Sequence, residues 1–110
     1  MKASVHIEAG VCGFETKAQA ASDDDQHVTF NIETTCEKIA LLIELINRNG
    51  PIDAFLEISP SDQSVILQIA EATLTGCCAG CVVPAGLFKA LQVSAGLALP
   101  KDIHIALTKA

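Results

Sequence analysis

The chain has no tryptophan and no tyrosine, and phenylalanine occurs four times in 110 residues. With so few aromatic faces, base stacking along single-stranded nucleic acid has no platform. Basic residues are scarce as well: seven Lys and Arg stand against thirteen Asp and Glu, for a net charge of −6. Such a field repels phosphate backbones and anionic headgroups, so neither nucleic acid nor a membrane is expected as a partner. An unbroken apolar run of membrane-spanning length is also missing. The most apolar stretch, residues 82–99, is interrupted by Pro84, Lys89, Gln92 and Ser94 and reads as a core helix. The opening residues, MKASVHIEAG, alternate polar and apolar instead of forming the apolar block of an export signal, which makes the cytoplasm the expected compartment. Neither G-x-x-x-x-G-K-[ST] nor G-x-G-x-x-G after a strand occurs, and no Ser/His/Asp arrangement is legible. With no catalytic residue in view, a binding role is expected ahead of an enzymatic one.

What is present suffices for one domain spanning residues 1–110. Half the residues are hydrophobic, enough to bury a core of Ile, Leu, Val and Ala without covalent staples. Ala3, Val5, Ile7 and Ala9 alternate with polar residues, as do Phe14, Thr16, Ala18 and Ala20, and then Val28, Phe30 and Ile32. A period of two with short polar connections predicts an antiparallel three-strand meander. The period then lengthens. Ile39, Leu42, Ile43 and Ile46 fall on one helical face, with Thr34 and Glu37 spaced as a capping box and Gly50-Pro51 as a stop. Residues 52–58 read as a short strand or extended connector. A second helix is expected from 59-SPSD-62 to near Gly76, with Val65, Ile66, Ile69, Ala70 and Thr73 inward. A third runs from Pro84 towards Pro100, and Ile103, Ile105 and Leu107 suggest a last strand. The expected class is α+β: a mainly antiparallel sheet, made of the meander and a C-terminal strand, covered on one face by two to three helices.

Five cysteines are the feature that asks for chemistry. Three crowd into 75-TGCCAGCVVPAGLFK-89, where Cys78 and Cys81 have C-x-x-C spacing and Gly76 and Gly80 let backbone approach sulfur. In a meander the first and third strands end at the same edge of the sheet. Cys12 follows the first strand and Cys36 the third, so strand spacing puts their starting points within about 10 Å. Under the capping-box reading Cys36 lies in the first helical turn, and Cys81 lies just before a helix; both settings favour thiolate. The expectation is a metal site of Cys12, Cys36, Cys78 and Cys81, with Cys77 as alternate to Cys78, holding an iron–sulfur cluster or zinc. Dispersed cysteines beside glycines favour the cluster. Against this stands the behaviour of free cysteine as a small buried hydrophobe. His6, His27 and His104 on polar alternates read as surface histidines, Glu8 and Glu15 as exposed strand carboxylates, and 23-DDDQ-26 as a solvated turn.

The segments 8-EAGVCGF-14, 35-TCEKI-39, 81-CVVP-84 and 95-AGLALPKD-102 together resemble a family of small, functionally unassigned proteins of about this length from anaerobic bacteria and archaea. The resemblance implies a three-cysteine core at Cys12, Cys36 and Cys81, with Cys77 and Cys78 as less regular members, and an anaerobic setting that suits an oxygen-sensitive cluster. The leading expectation is a cysteine-ligated metal-binding protein, an iron–sulfur carrier or electron-transfer accessory. One alternative is a thiol-redox or sulfur-transfer protein with Cys81 as nucleophile and Cys78 as resolving partner. Another is a cofactor-free interaction domain, in which small residues on the third helix serve a protein partner or a homodimer.

Overall fold

The computed structural model describes residues 1–110. Strands β1 (Lys2–Glu8), β2 (Glu15–Ala21) and β3 (His27–Thr34) form the meander. Their register runs from Lys2 opposite Ala21 to Glu8 opposite Glu15, and from Thr16 opposite Thr34 to Ala21 opposite Thr29. Alternation decides the faces. Ile7, Thr16, Ala18, Ala20, Val28 and Phe30 are buried, whereas Ser4, His6, Glu8, Lys17, Gln19 and Asn31 are exposed. One face of the sheet is therefore solvated and the other lies under helices, the division that an antiparallel sheet permits.

Helix α1 (Glu37–Arg48) buries Ile39, Leu42, Ile43 and Ile46, the face that the i, i+3, i+4, i+7 spacing selects. The capping box is not formed. Cys36 is the N-cap residue and makes no side-chain cap bond. Thr34 is instead the last residue of β3, and its hydroxyl is engaged with that of Thr16 across the ladder at 2.9 Å. The same hydroxyl accepts the Cys36 N–H at 3.2 Å.

The 52–58 connector is mostly not extended. Only Ile52 and Asp53 pair, as β4 against Val28 and His27 of β3. The Asp53 carboxylate then accepts the Phe55 N–H and caps α2 (Ala54–Glu57), a single turn. The second expected helix starts later than Pro60 suggests: Ser61–Gln63 is a 3₁₀ turn, and α3 (Val65–Thr73) begins after Ser64, whose hydroxyl accepts the Leu67 N–H. Its inward side is as expected, with Ile66 fully buried and Val65, Ile69, Ala70 and Thr73 half-buried.

Helix α4 (Val83–Ser94) lies across β1 and β2 and buries Val83, Leu87, Ala90 and Leu91. The approach to β1 is close: a Cβ on Gly86 would stand 2.4 Å from Ile7 Cδ1. Residues 76–94 are apolar enough to cross a membrane by length and composition. They are not one α-helix, however, because Gly76–Gly80 is a 3₁₀ turn and Cys81 is extended. The continuous α-helix has 12 residues, about 18 Å of rise. It ends at Ser94, well before Pro100, with Gly96 following at φ +75°.

The class is α+β, a four-strand antiparallel sheet in the order β1-β2-β3-β4 with four α-helices. The fourth strand is Ile52–Asp53 and not the C-terminal segment. Residues 101–110 have no secondary structure and are exposed throughout. Their alternation sets up a strand, but no neighbouring strand completes it.

Candidate functional site

The ends of β1 and β3 and the start of α4 meet at one end of the molecule. Glu8 closes β1 opposite Glu15, and Thr34 closes β3 opposite Thr16, so the Cys12 turn and Cys36 leave the sheet at the same edge. The Cys12 turn is closed by the Gly13 N–H to Gly10 O bond at 2.9 Å and the Ala9 N–H to Phe14 O bond at 3.1 Å. Gly86, one turn inside α4, packs on Ile7 near the end of β1. That contact brings the start of α4 over the end of β1, and Cys81, just before it, lies within electrostatic reach of Cys12 and Cys36.

All five cysteines are free thiols. Cys36, Cys78 and Cys81 are half-buried and pack on the hydrophobic core, whereas Cys12 and Cys77 are exposed. Cys81 is the electrostatic centre of the group. Burial pushes its thiol pKa up from 9.0; the Val83 N–H, at the start of α4, donates to its sulfur and works the other way; and the charges of Cys12, Cys36 and Cys78 each push it up again. These three cysteines are thus within electrostatic reach of Cys81. They are not packed at single-ion distance. No three thiols have their sulfurs within 4.8 Å of one another, whereas tetrahedral zinc sites hold sulfurs roughly 4 Å apart.

The group that does meet that distance is His6, Glu8 and Glu15, on the solvated face of β1 and β2. Glu8 and Glu15 are direct cross-strand partners, and His6 Nε2 lies 3.4 Å from Glu15 Oε2. This proximity follows from the register, which places two like charges opposite each other beside a histidine. All three are exposed.

The acidic run 23-DDDQ-26 is a turn built around one carboxylate. Asp24 accepts from the His27 N–H at 2.7 Å, the Gln26 N–H at 3.0 Å, the Ser22 hydroxyl at 3.3 Å and His27 Nδ1 at 2.7 Å. The His27 backbone and ring bonds, with Gln26, hold the Asp24 carboxyl well below its ordinary 3.8. Reciprocally, the Asp24 carboxylate raises His27 above 6.5. His104 lies in the exposed C-terminal segment.

One engaged residue escaped the sequence reading. Glu57 is 2% exposed. Its carboxylate accepts from the Ser64 hydroxyl, from Val65 N–H at 2.7 Å and from Ile66 N–H at 3.2 Å. It caps α3 from outside that helix, occupying the free N–H groups of the first turn. The spacing of seven to nine residues matches no local capping pattern.

The chain belongs to the Family of unknown function (DUF6951), whose model matches residues 3–107. No curated protein matches the chain, and no solved structure does.

Proposed function

We propose that this member of the family is a small cysteine-ligated metal-binding protein, with Cys12, Cys36, Cys78 and Cys81 as ligands and an iron–sulfur cluster or zinc as the bound group. The observation that carries the proposal is convergence: the Cys12 turn and Cys36 leave the sheet at the same end, and Cys36, Cys78 and Cys81 pack on the core there, with Cys36 and Cys78 within electrostatic reach of Cys81. A cation among them offsets the repulsion between thiolates, because a coordinated thiol is deprotonated outright and its neighbours' charges become partners of the metal. Two features support the donor set. Cys36, Cys78 and Cys81 sit against apolar side chains, which limits solvent access. The Val83 N–H adds a hydrogen bond to the Cys81 sulfur.

The spacing favours the cluster over a single zinc ion. Sulfurs that do not close to 4.8 Å in any trio suit a multi-iron group better than one tetrahedral ion. An anaerobic bacterial or archaeal setting, part of the same proposal, suits a cluster held partly by the exposed Cys12. The role that follows is carriage of the cluster or accessory electron transfer, in the cytoplasm.

Thiol exchange is the weaker alternative. A nucleophilic cysteine needs a depressed pKa, and that of Cys81 is raised. The test is oxygen-free purification with elemental analysis and an absorption spectrum. Visible charge-transfer bands with iron and sulfide, or stoichiometric zinc, are expected, and should be lost in Cys12→Ala, Cys36→Ala and Cys81→Ala but retained in Cys77→Ala. A colourless, metal-free, folded protein that takes up neither zinc nor iron and sulfide overturns the proposal.

A further inference from the structure

β1 is an edge strand, and one of its two sides has no partner. The hydrogen bonds fix which groups are left over. Met1 and Ser22 exchange bonds, Met1 N–H to Ser22 O and Ser22 N–H to Met1 O. At the other end the Ala9 N–H donates to Phe14 O. Bonded and non-bonded pairs alternate along an antiparallel ladder. With the observed register, Ala3, Val5 and Ile7 therefore direct their N–H and C=O groups at β2, while Lys2, Ser4, His6 and Glu8 direct theirs away from the sheet. No backbone group elsewhere in the chain meets them. No proline or bulge blunts this edge, and its charged side chains, Lys2 and Glu8, stand only at the two ends of the strand.

The same chain carries the complementary lack. Lys101–Ala110 is exposed at every residue and makes no backbone hydrogen bond. Ile103, Ile105 and Leu107 are 58%, 64% and 93% exposed, and they recur at every second position, as on one face of a strand. The family match extends to residue 107, so these three residues belong to the shared domain. The tail lies along none of its own chain's strands.

We propose that the 102–108 segment of one copy adds as a fifth strand to the β1 edge of a second copy, making the protein a homodimer by reciprocal strand exchange. Side-chain chemistry fixes the face. Ile103, Ile105 and Leu107 fall on the helix-covered side with Ala3, Val5 and Ile7, where Ala3 and Val5 are still partly exposed. Asp102, His104 and Thr108 join the polar side with Lys2, Ser4, His6 and Glu8. The added strand satisfies the outward N–H and C=O groups of β1, the source of affinity in β-strand addition. An unpaired edge and an unpaired strand on one chain are closed together by a two-fold pair. The pairing needs no metal and uses none of the five cysteines.

The test is analytical ultracentrifugation of the full chain, with Ser4→Pro and Ile105→Lys variants. Ser4→Pro removes one outward N–H and leaves the β1–β2 ladder intact, since the Ser4 N–H takes no part in it. A native mass of twice 11.5 kDa is expected, with both variants folded by circular dichroism and dissociating at protein concentrations about tenfold higher or more. Hydrogen exchange should show protection of the Ser4 and His6 amides that grows with protein concentration. A native chain that stays at 11.5 kDa at all concentrations overturns the proposal. So does a dimer indifferent to both variants, and so does concentration-independent protection in a monomer, which would mean that the tail folds back on its own β1.

Discussion

Gly86 shows how a single atom sets the distance between two layers. A Cβ there would meet Ile7 Cδ1 at 2.4 Å and Cγ1 at 2.9 Å, both inside contact distance. Ile7 is buried, so it has little room to turn away. Gly86→Ala is therefore expected to destabilise by about 1–3 kcal/mol through overpacking, despite the better helix propensity of alanine. Ile7→Val removes the closest atom, so the double variant should recover part of the loss. Urea denaturation of the two single variants and the double gives the coupling. A fully additive double variant would show that the two residues do not share this contact.

The residue scale also holds the clearest pH effect. Asp24 is held below 3.8 by its bonds from His27, so its stabilising contribution is present above that value and fades as pH falls below it. His27 is raised above 6.5 by Asp24, so its contribution is complete below 6.5 and is lost as pH rises through the raised value. Together they make a shallow maximum between 3.8 and 6.5. His27→Ala should flatten the high-pH side of the thermal-midpoint profile and leave the acid limb less steep. Both groups are solvent-exposed and salt screens the pair, so the effect should shrink at high ionic strength.

At the scale of the element, the start of α3 depends on a carboxylate borrowed from α2. Glu57 occupies the Val65 and Ile66 N–H groups and the Ser64 hydroxyl while 2% exposed. Glu57→Ala leaves those donors unpaired, the Ser64 hydroxyl and the Ile66 N–H of them buried, with an expected cost of about 2–4 kcal/mol in urea denaturation. Glu57→Gln keeps one acceptor oxygen and should cost less; equal losses would argue that side-chain volume rather than acceptance matters. This cap also shows what was readable. The meander and the buried face of α1 follow from local periodicity, because a period of two or 3.6 needs only neighbours in sequence. The α3 cap joins residues 57 and 64–66 through a turn whose path no local pattern dictates. Thr34 and Glu37 had capping-box spacing, yet Thr34 was drawn into the β3 ladder with Thr16. Ile103, Ile105 and Leu107 had strand spacing, which states what a segment can pair as and not whether a partner strand lies beside it. The shared edge for Cys12 and Cys36 was legible because strand direction in a meander is fixed by its short turns. The distances between the sulfurs were not, since they depend on how the turn before α4 folds.

Across the whole molecule, three chain segments remote in sequence carry their thiols to one end, and burial there is graded. Cys12 is exposed, while Cys36, Cys78 and Cys81 pack on the core. The gradient separates structural from ligating contributions. Replacing Cys12 by alanine removes no buried contact, so the metal-free protein should unfold within about 0.5 kcal/mol of the native chain. Cys36→Ala and Cys78→Ala each remove a sulfur from the edge of the core and should lower the metal-free stability by about 1 kcal/mol. Under the proposed function the loaded protein behaves differently. A bound group with no affinity for the unfolded chain adds RT ln(1 + [L]/Kd), about 2.7 kcal/mol at a hundredfold excess over Kd. That increment should vanish in Cys12→Ala although its metal-free stability is unchanged. Paired thermal melts under anaerobic conditions, before and after reconstitution with iron and sulfide or with zinc, resolve the two effects. If Cys12→Ala keeps the full increment, the exposed turn is not part of the site, and the ligands must be sought among Cys36, Cys77, Cys78 and Cys81 alone.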